Sequence, residues 1–177
     1  MKAASPSGTF LMKSDPSKAF VTFRIVGDRL DPDQITKFLR IHPTQAYAKG
    51  QPYTAGPKSP AILGRTGVWY LSTDQFVASA SLNDHFDFLL QALQLGGRRY
   101  VRTPGGAQLT ANLLELRDLM KENSLRAVVT CFWYGAAGTK KPSIPRGTTE
   151  VFNLINAEIE TDFDADETPI DGTAMAS

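Results

Sequence analysis

The sequence is poor in the residues that staple, ligate or span. A single cysteine, Cys131, stands in 177 residues, so no internal disulfide can form, and a lone thiol suits a reducing compartment. The only two histidines, His42 and His85, show no His-x-x-x-His spacing, so neither metal nor cofactor is expected. No apolar run approaches the ~20 residues that cross a bilayer, which argues against a membrane protein. The opening MKAASPSGTF follows Lys2 with Ser, Pro and Gly where a secretory signal needs apolar residues, so the expected location is cytoplasmic. A further shortage is local: residues 150–177 contain no Lys or Arg.

That local shortage changes the meaning of the charge. The chain carries 19 Lys+Arg and 18 Asp+Glu, for a net +1. Residues 1–149 hold all 19 bases but only 10 acids, 19 − 10 = +9, and residues 150–177 hold the other 8 acids, for −8. Near-neutrality is therefore a cancellation between a basic body and an acidic end. Such an end either pairs with the protein's own basic surface or presents acid to a basic partner. Acids also protect strand edges from aggregation.

With 42% hydrophobic residues the chain is too apolar to be disordered, and its length suits one domain. Residues 1–18, rich in Ser, Pro, Ala and Lys, are expected to be a flexible leader, 19–167 a single α+β domain, and 168–177 a flexible tail. Phe20 to Val26 is dense in β-branched and aromatic residues and predicts a strand. Asp31-Pro32-Asp33-Gln34 opens a helix, with Asp31 as cap, Pro32 in the first position and Gln34 closing a capping box. Ile35, Phe38 and Leu39 line its apolar face, and Pro43 bounds it. Residues 43–66 read as a long irregular loop, with Gly50, Pro52, Gly56, Pro57 and Pro60 close together. Val68 to Leu71 predicts a second strand. Ser81 or Asn83 caps a helix bearing Leu82, Phe86, Leu89, Leu90 and Leu93, stopped by Gly96-Gly97.

A third helix is predicted with Leu109, Leu113, Leu116, Leu119 and Met120 on one side, ending at Asn123. Residues 125–134 form the strongest strand signal and belong inside a sheet. Thr148 or Thr149 opens a fourth helix with Val151, Leu154 and Ile155 inward. The chain then alternates, with Ile159, Thr161, Phe163 and Ala165 on one face and Glu160, Asp162, Asp164 and Asp166 on the other. The expected fold class is α+β: a four-stranded, largely antiparallel sheet with helices packed on one face. Two strand–helix–strand halves would be joined by two helices.

Catalytic patterns are scarce. Asp162-x-Asp164-x-Asp166 has the start of a calcium loop, but the sixth position is Glu167 rather than Gly and the twelfth is Thr173 rather than Glu. Cys131 sits mid-strand in an apolar run and reads as an inert core thiol. No Gly-x-Ser-x-Gly elbow is present. Thr103-Pro104-Gly105-Gly106 lacks the Gly-Lys-Ser/Thr ending of a phosphate loop and reads as an interhelix turn. His42 reads as a helix-end residue favoured by the dipole, and His85 as facing solvent.

Several short blocks carry a resemblance. Phe23-Arg24-Ile25-Val26-Gly27-Asp28, Leu30 to Thr36, His42-Pro43-Thr44 with Lys49-Gly50, Gly67 to Ser72 and Asp162-Phe163-Asp164 arrive in a characteristic order. Over roughly residues 19–166 the chain resembles a bacterial family known only as the domain of unknown function 4279 family. The resemblance implies a small bacterial α+β domain and brings no catalytic residues. Some small bacterial domains of this sort act as immunity proteins.

Three readings of function follow. The first is a non-enzymatic domain acting through protein–protein contacts, most concretely an immunity-type inhibitor. In it Glu160, Asp162, Asp164 and Asp166 would meet a basic toxin. The second is a small-ligand or anion-handling domain, with an enzyme included in the class. It would use the 43–66 loop with His42, Arg65 and Trp69, and Arg98, Arg99 and Arg102 as further anion contacts. Its mark would be a pocket beneath that loop. The third is weak nucleic-acid binding through Arg98, Arg99 and Arg102. A homodimer is compatible with an exposed edge strand.

Overall fold

The computed structural model of the chain describes residues 18–56, 58–93, 100–103, 106–109, 111–136 and 139–165, of which 100–103, 106–109 and 111–113 are described as backbone. The alternation of strand β1 (Lys18–Gly27) buries Ala19, Val21, Phe23 and Ile25 and leaves Phe20, Arg24 and Val26 partly exposed. Helix α1 (Pro32–Leu39) starts as its sequence dictates. Asp31 Oδ1 accepts from the Asp33 and Gln34 amides at 3.0 and 3.2 Å, and Pro32 needs no partner for a missing N–H. The helix stops before Pro43 is reached: Arg40 adopts φ 55°, and its N–H closes the last turn on the Thr36 carbonyl.

Residues 43–66, expected to be irregular, are organised. Strand β2 (Gln45–Tyr47) joins the main sheet, and β3 (Pro52–Thr54) pairs with β4 (Ala61–Leu63) in a separate hairpin. The Tyr47 and Tyr53 rings stack at 4.0 Å and 7°, burial holding the Tyr47 phenol above its usual range. Gly64 lies so close under Tyr47 that a Cβ would meet the ring at 2.7 Å. Lys49 and Asp28 close the segment with an ion pair, which lowers the Asp28 carboxyl below its usual range.

Strand β5 (Gly67–Ser72) leads to helix α2 (Leu82–Ala92), whose N-cap Ser81 makes no side-chain capping bond. The expected interhelix turn is a hairpin, β6 (Tyr100–Thr103) with β7 (Gly106–Leu109). Leu109 therefore lies on a strand, not on helix α3 (Ala111–Glu122). Strand β8 (Arg126–Gly135), helix α4 (Arg146–Leu154) and strand β9 (Ala157–Ala165) complete the described chain. The fourth helix opens at Arg146 after Pro145, ahead of the expected Thr148.

The main sheet has five strands in the order β2-β5-β1-β8-β9, and not four. Three pairings are antiparallel, whereas β8 and β9 are parallel. The two halves are therefore not copies: β1 meets β5 antiparallel, and β8 reaches β9 through the α4 crossover, the connection a parallel pair requires. Helices occupy one face, as expected. The buried side chains of all four pack in one core with Phe23, Trp69, Val129, Cys131 and Ala157 from the sheet. Phe23 meets Trp69 edge-on at 6.2 Å, and Phe86 of α2 meets Phe152 of α4 at 6.4 Å.

Candidate functional site: the open face of the sheet

Among the described residues no helix lies over the other face of the sheet, and strand register orders its residues into rows. One row runs Gln45, Tyr70, Arg24, Val128, Glu158; the next holds Ser72, Thr22, Thr130, Glu160. Phe20, Phe132 and Asp162 form a third, and Lys18, Tyr134 and Asp164 a fourth. The first two rows carry an ionic network. Arg126 bonds Glu158 and also reaches Glu160 at 3.1 Å, and Arg24 lies 3.8 Å from Glu160. Hydrogen bonding to the Arg126 guanidinium holds the Glu158 carboxyl below its usual range, and Glu158 raises Arg126 in return. Beneath this network Val128 is fully buried, and Arg24 Nε is buried with no hydrogen-bond partner among the described residues.

The third and fourth rows are built differently. Phe20 and Phe132 stack at 4.6 Å and 19°, and the Lys18 ammonium sits 5.6 Å from the Phe20 centroid, an attraction of cation to ring face. Asp162 stands opposite Phe132 and Asp164 opposite Tyr134 in the next row, both exposed. Asp162 has no ion pair among the described residues, and Asp164 accepts only the Ala165 amide at 2.8 Å. The acidic strand thus divides. Glu158 and Glu160 are taken by the protein's own arginines, whereas Asp162 and Asp164 face solvent beside an aromatic pair.

The other candidate residues scatter. Asp166, Arg98 and Arg99 lie outside the described residues, as do the leader through residue 17, the Gly96-Gly97 stop and the tail. Arg102 is on β6 opposite Ala107. Trp69 is fully buried, its indole N–H donating to Thr36 Oγ1 at 3.0 Å. Arg65 is exposed beyond β4. His42 lines a cleft of about 670 Å³ with Pro43 to Ala46.

His85 corrects the sequence reading. It is fully buried rather than facing solvent, with Nε2 2.9 Å from the Ser79 carbonyl and Nδ1 2.7 Å from Thr73 Oγ1. In the neutral ring Nε2 donates to the carbonyl, so Nδ1 accepts from the Thr73 hydroxyl. The same Thr73 oxygen accepts from the Val21 amide at 2.9 Å, tying β1 to α2. Cys131 is buried, and desolvation pushes its thiol up to about 12, well away from a reactive thiolate.

Sequence reasoning did not single out Lys18, Phe20, Arg24, Arg126 or Phe132. Their signal is the parity of β1 and β8: the residues between the buried positions carry the polar groups and the paired rings. Which of them adjoin depends on register, which periodicity alone does not specify. Among the described residues no group of three or more His, Cys, Asp or Glu could hold a metal ion, and no helix is long and apolar enough to cross a membrane.

A five-stranded mixed sheet beside two small hairpins, with the described helices on one side and an exposed charged and aromatic surface on the other, defines the class as an α+β domain. The chain belongs to the family described as domain of unknown function DUF4279, whose model matches residues 17–166. Comparison with curated proteins and with solved structures found no match.

Proposed function

We propose that this chain is a non-enzymatic bacterial binding domain that acts through protein–protein contacts on its open sheet face, with an immunity-type inhibitor of a basic toxin as its most concrete form. The supporting observation is the pair of unneutralised carboxylates, Asp162 and Asp164, beside the stacked Phe20 and Phe132. A partner's Lys or Arg placed there gains a carboxylate and a ring face together. Such mixed aromatic and charged contacts concentrate binding energy. Glu158 and Glu160 shape the rim, and a partner must compete with Arg126 and Arg24 for them.

The test is coexpression with the product of each flanking gene, followed by copurification at low and high salt. A basic product should copurify with the chain, and the double variant Asp162→Lys/Asp164→Lys should lose it while keeping its fold. Copurification of no basic product, or undiminished capture by the double variant, overturns the reading.

A further inference from the structure

The cleft beside β2 lies at the opposite edge of the sheet from β9, and its chemistry is that of a small-molecule site. Its volume, about 670 Å³, is within the range of ligand clefts. Several of its polar side chains are held by one atom and free at another. Gln45 Nε2 donates to the Thr54 carbonyl at 2.8 Å, leaving Oε1 open. Gln51 Oε1 accepts from the Ala48 amide at 2.8 Å, leaving its NH₂ open. Thr44 Oγ1 accepts from the Ser72 amide at 2.9 Å, leaving its hydroxyl hydrogen to donate. Asp31 uses Oδ1 for the helix cap, so Oδ2 is free, and the Asp33 side chain and His42 have no partner among the described residues.

This inventory has a sign. Among the described residues no Lys or Arg lines the cleft, which removes the support an anion would need. The nearby helix amides offer no substitute, because Asp31 already occupies the Asp33 and Gln34 N–H groups. Open acceptors (Asp31, Asp33, Gln45) stand beside the donors of Gln51, Thr44 and His42, so the two carboxylates give the lining its sign. A ligand that complements them brings positive charge and several N–H or O–H donors. We propose that this cleft binds a small organic amine, and not the anion that the basic residues of the sequence suggest.

The inference is independent of the partner-binding reading, since none of the residues that carry that reading (Phe20, Phe132, Asp162 and Asp164) lines the cleft. It is tested on the full chain by ¹H–¹⁵N spectroscopy with millimolar spermidine and glucosamine, against N-acetylglucosamine and inorganic phosphate. Either amine should move the amides of Asp33, Thr44, Gln45 and Gln51 in a saturable way, and neither control should. Asp33→Asn leaves every described hydrogen bond in place and should weaken the amine about tenfold, the loss of one charge-assisted contact. No shifts with either amine, equal shifts with N-acetylglucosamine or phosphate, equal shifts around Asp162 and Asp164, or an unweakened Asp33→Asn would each overturn it.

Discussion

On β1, Phe23 is fully buried and meets Trp69 edge-on, while Phe20, three residues earlier, stacks on Phe132 at the helix-free face. The same strands thus present two surfaces. The covered face is apolar, enclosed by four helices, and its one histidine is tied at both ring nitrogens. The open face is charged and aromatic, and only part of its charge is neutralised internally. A side chain on the first answers to packing density, whereas one on the second answers to solvent and to whatever docks there. The difference separates stability from recognition along single strands, at alternate residues.

Substitutions can break that separation if it is false. The largest effect is expected from Trp69→Ala, which empties the centre of the covered face and should cost about 3–5 kcal/mol in urea unfolding. Thr73→Val comes next. It leaves the Val21 amide and His85 Nδ1 unpaired in the core, a cost of about 2 kcal/mol by the same measurement. Phe132→Ala on the open face should lower stability by only about 1 kcal/mol, through the lost stacking, yet weaken partner capture. The double variant Asp162→Lys/Asp164→Lys should stay within about 0.5 kcal/mol of the parent in unfolding while abolishing capture of a basic partner. Large destabilisation by the last two would merge the faces into one structural role.

The smallest effect is the pH response of the Arg126–Glu158 pair. The folded-state carboxyl of Glu158 lies below its unfolded value. The pair's contribution is therefore present above the unfolded range and lost as pH falls through the lowered folded-state value. Both side chains are exposed, so salt should shrink it. Carboxyl ¹³C titration of Glu158 should show the depressed value, and Arg126→Gln should return it to the ordinary range.

The legible parts of the fold were those whose cause is local. Asp31, Pro32 and Gln34 announce α1 within four residues, and the alternation of Ile159, Phe163 and their acidic neighbours announces β9 and its two faces. What escaped depends on distant partners. Strands of three residues are too short to show alternation, and β2, β3 and β4 are held by the Tyr47–Tyr53 stack and by Gly64 beneath Tyr47. His85 lies among leucines on α2, but its burial is made tolerable by Thr73, twelve residues away. The parallel pairing of β8 and β9 is hidden because both halves show the same strand–helix–strand order, which does not specify the direction of pairing. Of the candidate site, the acids on β9 were visible from composition. Their division into paired glutamates and open aspartates follows only from where Arg24 and Arg126 stand.

Strand β9 is also a growth front. It closes one edge of the sheet, it is nine residues long, and it carries Ile159 and Phe163, the kind of sequence on which another chain can nucleate. A second copy laid along it would bring one row of carboxylates against another. The Lys141 ammonium, 3.0 Å from the Phe163 carbonyl, also occupies part of the backbone that such a copy would need. Sheet extension from chain to chain is thereby opposed while the carboxylates are ionised. Acid removes that local opposition but leaves 19 Lys+Arg uncompensated, so extension along β9 should need acid together with salt that screens the net positive charge.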